Sequence, residues 1–350
     1  MTGSFDYFVR FTEGMVGPSA ELPATLGIST PSSNNSDLRT KGWEVSIGWK
    51  DRLKNGLGYG INLSLSDQIT MIDSYPDNKT LSIDSYLPGY KDGLIWGYET
   101  IGIAKSDEEM QAHLASLPKG GQDAVGSQWA VGDIMYKDLN GDGKISEGAR
   151  TLGDHGDLKI LGDTYSHYFF GIDLNADWKG FDFRAFFQGV LKHDYWGSGN
   201  FTGMLFGVRG GYSRWHTRGF KQHEDYFRAE PAGLEGHELP ANLDSYYPRP
   251  IFSDSSDGTS FGAKNQKVQS RYVQDASYIR LKNLQFGYTL PAKFTNKFGI
   301  NRLRIFVSGE NVWTGTGLTK LFDPETISGG NGGNAYPLSR TWSFGLSLTL

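Results

Sequence analysis

Apolar and polar side chains alternate along eight separate segments of the chain. Between Gly56 and Thr70, for example, the odd positions from Leu57 to Leu65 are apolar or aromatic, whereas the even positions hold Gly, Asn and Ser. Successive side chains of a β-strand point to opposite faces, so such alternation is typical of a strand with one apolar face. The pattern predicts eight strands, over Phe5–Phe11, Lys41–Lys50, Gly56–Thr70, Tyr165–Trp178, Phe181–Lys192, Val273–Leu290, Asn301–Trp313 and Ser339–Leu350.

The segment Val273–Leu290 changes the parity of its apolar positions partway along. Ile279 and Leu281 are odd-numbered, whereas Leu284 and Phe286 are even-numbered. An extra residue in one strand of a pair produces this kind of change. The sequence therefore predicts a bulge or a change of environment within this strand.

The connections between the predicted strands are alternately short and long. Asp51–Asn55, Lys179–Gly180 and Pro291–Ile300 are short, whereas the intervals 12–38, 71–164, 193–272 and 314–338 are long. Loops of that length are uncommon in compact soluble domains. Short turns at one edge and long loops at the other are typical of an outer-membrane β-barrel, in which the short turns face the periplasm. The predicted fold is all-β, an antiparallel transmembrane β-barrel segment of about eight strands with long extracellular loops.

A soluble β-sandwich is the alternative, because its strands also alternate. Two features favour the barrel. The polar faces hold mostly Ser, Thr, Asn, Gly and Gln, whereas a face exposed to water normally carries many Lys and Glu. Aromatic residues also recur near the strand ends, where the interfacial girdles of a barrel lie. These residues are Trp49, Trp178, Tyr288, Trp313 and Trp342.

Composition excludes several classes of protein. The 350 residues include no Cys, which excludes disulfide scaffolds and thiolate metal sites. The net charge of −5 without basic clusters argues against a nucleic-acid partner. There is no apolar run long enough for a transmembrane helix, and no signal peptide is visible at the N-terminus.

Six motifs together resemble the C-terminal barrel of SusC/RagA-type TonB-dependent transporters. Each motif is moderately specific, whereas their order and spacing together are specific to this family. They are YKDLNGDGKI (Tyr136–Ile145), GDLKILG (Gly156–Gly162), GIDLNADWKGFDFRAFFQG (Gly171–Gly189), YIRLKNLQFGYTLP (Tyr278–Pro291), RLRIFVSGENVWT (Arg302–Thr314) and YPLSRTWSFGLSLTL (Tyr336–Leu350).

The resemblance implies a barrel of about 22 strands with a plug folded inside it. It also implies a segment that contacts TonB and a SusD-like surface lipoprotein that closes the barrel as a lid. Residues 1–350 would supply the last eight strands, and the plug and N-terminal domains are expected to be absent from this chain. The chain ends in Leu350, whereas such barrels usually end in an aromatic residue.

One loop partly matches a calcium-binding motif. The run from Asp138 to Gly143 fits the first six positions of D-x-[DN]-x-[DN]-G, in which oxygen ligands alternate. Position twelve is Ala149 instead of Glu, so downstream carboxylates are needed to complete the site. A turn without a metal is the alternative, because Asp, Asn and Gly favour turns. The predicted Ca²⁺ ligands are Asp138, Asn140, Asp142, Lys144, Asp154 and Asp157.

The loop after the fifth predicted strand carries aromatic residues among polar ones. Such a mixture can stack on sugar rings or hold peptide backbones, although the same rings can simply pack the loop. The predicted substrate-binding residues are Tyr195, Trp196, Trp215, Tyr246 and Tyr247. The sequence has no hydrolase, metalloprotease or phosphate-loop motif, so we expect no enzyme activity.

Two classes of function remain open from the sequence. The first is an importer of oligosaccharides, or alternatively oligopeptides, in the outer membrane of a Gram-negative bacterium of the Bacteroidetes type. Its expected partners are a SusD-like lipoprotein, the TonB complex, the remaining barrel strands and plug, and membrane lipid. The second is a soluble or surface β-sandwich that binds glycans or acts in adhesion.

Overall fold

The computed structural model describes residues 1–17, 33–197, 205–206, 220–251, 261–327 and 335–350. Fourteen strands lie within these ranges. They are β1 (Thr2–Gly17), β2 (Ser33–Arg52), β3 (Gly58–Ser74), β4 (Leu94–Tyr98), β5 (Thr100–Ile103), β6 (Ile134–Tyr136), β7 (Leu158–Asp163), β8 (His167–Trp178), β9 (Phe181–Lys192), β10 (Asp194–Tyr195), β11 (Gln274–Asp275), β12 (Tyr278–Thr289), β13 (Arg302–Thr316) and β14 (Thr341–Thr349).

Helices are few and short in the described residues. The α-helices are α1 (Asp107–Ala115) and α2 (Ala292–Thr295), and 3₁₀ turns cover Lys221–Glu224, Phe261–Gln266 and Asn296–Phe298. None of the helices in these ranges is long and apolar enough to cross a membrane.

Eight strands form one antiparallel sheet in the order β1-β2-β3-β8-β9-β12-β13-β14. The eight predicted strands are confirmed, and their order in the sheet is their order along the chain, with β4–β7 and β10–β11 lying in the intervening loops. β12 begins later than predicted, because Gln274 and Asp275 pair with β10 in a separate two-stranded sheet. The predicted bulge in β12 is confirmed, since its register shifts between Leu281 and Asn283 against both neighbouring strands.

The strand register places apolar and polar side chains in separate rows across six of the eight strands. One row of paired residues is apolar over six adjacent strands, and the next row is polar or glycine. The apolar row is Ile47, Leu63, Ile172, Phe187, Leu281 and Trp313. The polar row is Ser46, Ser64, Gly171, Gln188, Arg280 and Thr314.

Large apolar side chains on the first face are exposed. Phe5 in β1 is 68% exposed, and Phe344 and Leu346 in β14 are 87% and 62% exposed. Scattered exposed apolar residues are ordinary, whereas a continuous apolar face of this size marks a contact with another protein or a membrane.

Two short turns and one longer connection lie at one edge of the sheet, as predicted. Lys179 and Gly180 alone join β8 to β9, with φ of 48° and 89°. Positive φ at both central residues is typical of a type I′ hairpin, whose twist matches that of the strands. A Cβ on Gly180 would lie 2.7 Å from the carbonyl oxygen of Thr289, so the turn requires glycine here.

The long connections at the other edge fold into a unit with its own core. This loop unit comprises the described residues between β3 and β8, between β9 and β12, and from 317 to 327. Its fully buried large side chains include Tyr98, Met110, Ile134, Tyr136, Ile145 and Tyr272. The long loops are therefore ordered by apolar packing of their own residues.

A buried ion pair joins separate segments of the loop unit. The side chains of Asp133 and Lys264 are both fully buried, with Lys264 Nζ 2.7 Å from the Asp133 carboxylate. Arg249 Nε lies 2.8 Å from the same carboxylate, and the side-chain amide of Asn265 donates to it at 2.9 Å. Asp133 therefore joins its own segment to the segments that carry Arg249 and Lys264–Asn265.

Burial and hydrogen bonding have opposite effects on the pKa of Asp133. Burial alone would raise this pKa, but hydrogen bonds from its two basic partners and one amide outweigh burial and hold it below its usual value. Burial lowers the pKa of Lys264, and the facing carboxylate opposes that effect. We infer that the pair is ionised at neutral pH, because several donors satisfy the carboxylate.

Replacing Asp133 by Ala leaves the Lys264 ammonium buried without its carboxylate. We expect Asp133→Ala to lower the free energy of unfolding of the loop unit by about 3–5 kcal/mol. Hydrogen exchange at the amides of Ile134 and Tyr136 measures this change. The control is Asp244→Ala, which removes an exposed ion pair with Lys105 and should have little effect.

Acid should weaken the contact of Asp133 with Lys264 and Arg249. Because the folded-state pKa of Asp133 is lowered, its stabilisation is present above about pH 4 and is lost as the pH falls through the lowered pKa. Equal hydrogen exchange in Asp133→Ala and the unaltered protein at neutral pH would contradict this role.

Candidate functional site

The polar face of the sheet carries ion pairs that bridge strands. On β8 and β9, Arg184 Nη2 lies 2.7 Å from the carboxylate of Asp173. Arg52 at the end of β2 reaches Asp177 on β8, with 2.8 Å between Nη2 and Oδ2. Both arginines are therefore neutralised by a carboxylate on a nearby strand.

Glycine in the intervening strand makes room for these bridges. Gly58 lies between Arg52 and Asp177 in the strand register. A Cβ at this position would lie 2.4 Å from the Asp177 carboxylate and 2.7 Å from Arg52 Nη2. A Cβ at Gly287 would likewise lie 2.6 Å from Arg304 Nη2 and 2.7 Å from the carboxylate of Asp182, and the ion pair of these two residues measures 2.5 Å.

A four-residue charge cluster fixes the loop segment 317–327 to the polar face. Arg280 on β12 is almost completely buried, and its Nη2 lies 2.8 Å from the carboxylate of Asp323. Its Nη1 lies 3.1 Å from Glu325, which also accepts from Lys282 at 2.9 Å. The segment that carries Asp323 and Glu325 is therefore held against the wall of the sheet.

A buried histidine connects the base of the loop unit to the sheet. His167 Nδ1 lies 2.7 Å from Asp67 on β3, and its Nε2 lies 3.1 Å from Asp163 on β7. A cavity of about 320 Å³ lies beside the ring, with Lys91 and Tyr165 in its lining. The three buried side chains bring together the ends of β7 and β8 and the middle of β3.

The predicted calcium loop is a tight turn whose side-chain oxygens accept backbone N–H groups. Asp138 accepts from Gly141 at 2.6 Å and from Gly143 at 2.9 Å. Asn140 and Asp142 each accept from the amide two residues further on. These hydrogen bonds account for the turn without a metal ion.

The two downstream carboxylates lie at different places around this turn. Asp157 folds back onto it, because its two oxygens accept from the amides of Leu139 and Ser146, each at 2.8 Å. Burial raises the pKa of Asp157. Asp154 instead accepts from Ala149, at 3.1 Å. Among the described residues, no group of three or more His, Asp or Glu side chains is arranged to hold a metal ion.

Four of the five predicted substrate-binding residues lie in or against the core of the loop unit. Tyr247 is buried, and Tyr195, Trp196 and Tyr246 pack against that core. Packing therefore accounts for the position of these rings, and their part in substrate binding stays a prediction. Trp215 lies outside the described residues.

Sequence reasoning missed the charge cluster of Arg280 and the histidine between Asp67 and Asp163. Their members are far apart in the chain, so no local motif marks them.

The chain is similar in sequence to proteins named TonB-dependent receptors. The chain is 28% identical to TonB-dependent receptor P3 of Formosa agariphila, over 99% of this chain and 32% of that protein. It is 25% identical to TonB-dependent receptor P26 of the same organism, over 98% of this chain and 32% of that protein. No protein-family model matches the chain.

Solved structures with the same fold include the RagAB peptide transporter, with a TM-score of 0.63 at 18% identity. The match covers 99% of this chain and 33% of that one. The RagAB peptide importer in the open-open state gives a TM-score of 0.60 at 17% identity, over 99% of this chain and 32% of that one.

The fold is that of a segment of an antiparallel transmembrane β-barrel, as predicted. The chain spans about a third of the length of the curated relatives it matches. The resemblance to TonB-dependent transporters that the motifs indicated is confirmed over this part of their length.

Calcium binding at the Asp138 turn remains a prediction with a direct test. We expect isothermal titration calorimetry to detect Ca²⁺ binding, and Asp138→Ala and Asp142→Ala to abolish it, because both remove proposed oxygen ligands. Lys144→Ala is the matched control, since position seven of such a loop contributes its backbone carbonyl.

Removal of Ca²⁺ should also loosen the turn. A chelator is expected to raise protease cleavage near Gly141 in the unaltered protein and to have no effect in Asp138→Ala. Absence of binding in the unaltered protein at millimolar Ca²⁺ would reduce the motif to a turn.

Proposed function

We propose that this chain forms the C-terminal part of the barrel of a TonB-dependent importer in the outer membrane of a Bacteroidetes-type bacterium. The observation that carries the proposal is the sheet itself, with one exposed apolar face and one polar face that carries ion pairs. Short turns lie at one edge of this sheet and long loops at the other. The apolar face can contact the lipid hydrocarbon, and the polar face can line a water-filled lumen.

The two outer strands of the sheet require partners. In the described structure β1 and β14 each pair on one side only. Unpaired backbone groups cost several kcal/mol each in lipid, so an open sheet cannot stand alone in a membrane. We propose that the remaining strands, the plug and the TonB-contacting segment complete the barrel.

The β-sandwich alternative fits this structure poorly. A sandwich buries its apolar face under a second sheet about 10 Å away. In the described ranges every other sheet has two strands, and large apolar side chains on the main sheet stay exposed. Adhesion by a soluble sandwich is therefore not the function we propose.

The proposed cargo is a nutrient oligomer, an oligosaccharide or an oligopeptide. The solved structures of similar fold are described as peptide transporters, which supports the oligopeptide. The proposed lid is a SusD-like lipoprotein docked on the loop unit, and the proposed role is transport without enzyme activity. The named relatives are receptors and transporters, which supports this role.

Uptake by cells tests the proposal and decides the cargo. Deletion of the gene should abolish uptake of labelled oligopeptides or of labelled oligosaccharides, and a protonophore should have the same effect on the parent strain. Purification of the tagged protein should retain a surface lipoprotein. Unchanged uptake of both cargo classes after deletion would contradict import by this protein.

The two faces of β3 allow a sharper test of membrane insertion. Leu63→Arg places a charge on the apolar face, at a cost of about 2–4 kcal/mol near the bilayer midplane. Ser64→Arg places the same charge on the polar face, one residue along, and is the matched control. We expect Leu63→Arg to reduce the amount of folded protein in outer membranes, measured by heat-modifiable gel mobility, far more than Ser64→Arg. Equal tolerance of both substitutions would contradict the barrel.

A further inference from the structure

A cavity of about 290 Å³ lies where the loop unit meets the end of β3. Its lining includes Ile72, which has the same parity as Ser64 and follows it without a shift of register against β2. The side chain of Ile72 is therefore on the polar side of β3, the side that we propose faces the lumen. The volume is at the lower end of the range of ligand sites, about 300–1,000 Å³, so the cavity has room for part of an oligomer.

Buried aliphatic side chains form part of the lining of this cavity. They are Ile72, Ile83 and Leu87. A sugar carries hydroxyl groups on most of its carbons, and these would lose water against such a lining without gaining a hydrogen-bond partner. An apolar side chain of a peptide has no polar group to leave unpaired. The aliphatic lining therefore favours a peptide over a sugar in this cavity.

A carboxylate in the wall of the cavity is not paired with a cation of the described structure. Asp92 lines this cavity and also the cavity beside His167. It accepts a hydrogen bond from the Tyr165 hydroxyl at 2.7 Å, and none of the ion pairs among the described residues includes it. The adjacent Lys91 instead pairs with Asp163, with 3.8 Å between Nζ and the carboxylate. The negative charge of Asp92 is therefore available to a ligand.

Two tyrosine side chains lie beside Asp92. Tyr165 donates to it, and Tyr86 shares the lining of the first cavity with it. Burial raises the pKa of Tyr86, and the charge of Asp92 raises it further. Gly93 makes room for the ring of Tyr165, because a Cβ on Gly93 would lie 2.6 Å from that ring. A carboxylate beside aromatic rings can bind an ammonium group, which forms an ion pair with the carboxylate and a cation–π contact with a ring.

We propose that these residues form a binding site for a cationic oligopeptide, in which Asp92 binds an ammonium group and the aliphatic cavity holds the apolar side chain next to it. We call this site the Asp92 subsite. The inference rests on the proposed function and makes it more specific, because it selects peptides that carry a positive charge next to an apolar residue. The ammonium group is that of a lysine side chain or of the amino terminus, and a neutral oligosaccharide has neither.

Binding of matched peptides to the full-length protein tests the Asp92 subsite. The lysine peptide is Gly-Lys-Leu-Gly with both ends blocked, and the reference peptide is Gly-Gln-Leu-Gly blocked in the same way. The amino-terminal peptide is Leu-Gln-Gly-Gly with a free amino group and a blocked carboxyl group. By isothermal titration calorimetry, we expect the lysine peptide or the amino-terminal peptide to bind at least about tenfold more tightly than the reference, because each adds a charge-assisted hydrogen bond. If neither binds more tightly than the reference, the Asp92 subsite is overturned.

Substitution of Asp92 shows whether the preference arises at this site. Asp92→Asn keeps the size of the side chain and an oxygen for the Tyr165 hydroxyl, but it removes the charge. We expect this variant to bind the preferred peptide within about twofold of the reference peptide. Asp123→Asn is the matched control and should keep the preference, because Asp123 is an exposed carboxylate elsewhere in the loop unit. Heat-modifiable gel mobility checks that both variants are folded, and an unchanged preference in folded Asp92→Asn would overturn the assignment.

Failure of this inference is distinguishable from failure of the proposed function. If deletion of the gene abolishes uptake of oligopeptides but the three peptides bind equally, the Asp92 subsite is overturned and the importer stands. If deletion abolishes uptake of oligosaccharides only, the Asp92 subsite is again overturned, because its ligand is a peptide. Unchanged uptake of both cargo classes would overturn the proposed function and the Asp92 subsite together.

Discussion

The register of the antiparallel strands is the constraint on which the rest of this structure depends. Side chains alternate between faces with a period of two, so a slip by one residue would move every side chain of a strand to the opposite face. The pairing of Ile47 with Leu63 and of Ser46 with Ser64 fixes the register of β2 on β3, and the same two rows continue over six strands. Both the apolar face and the polar face follow from that register.

The polar face shows how charge is accommodated on a wall that also has an apolar face. Arg304 and Asp182 meet beside Gly287, where a side chain would block them. An ion pair in partial contact with water contributes little to stability, so its effect here is to position and neutralise the two side chains. The buried Arg280 cluster goes further, because it attaches a loop segment to the same wall.

The loop unit is stabilised by different contacts from those of the sheet. Its segments come from distant parts of the chain and fold around buried rings such as Tyr136 and Tyr272. The burial of Asp133 with Lys264 selects one arrangement of those segments, because any other arrangement would leave a buried charge unpaired. The loop unit is thus a folded body on one edge of the sheet, and the short turns occupy the other edge.

The sequence alone determined the eight strands, the bulge in β12, the short turns and the two faces, because each depends on a local alternation or a turn of two to ten residues. It also carried the motifs that indicate TonB-dependent transporters. The tertiary structure decided which charges meet, as for His167 with Asp67 and Asp163, and it placed Tyr247 in a core instead of on a surface. Contacts of this kind join residues that are far apart in the chain, and their partners are selected by packing and by the cost of burying an unpaired charge, neither of which leaves a local pattern.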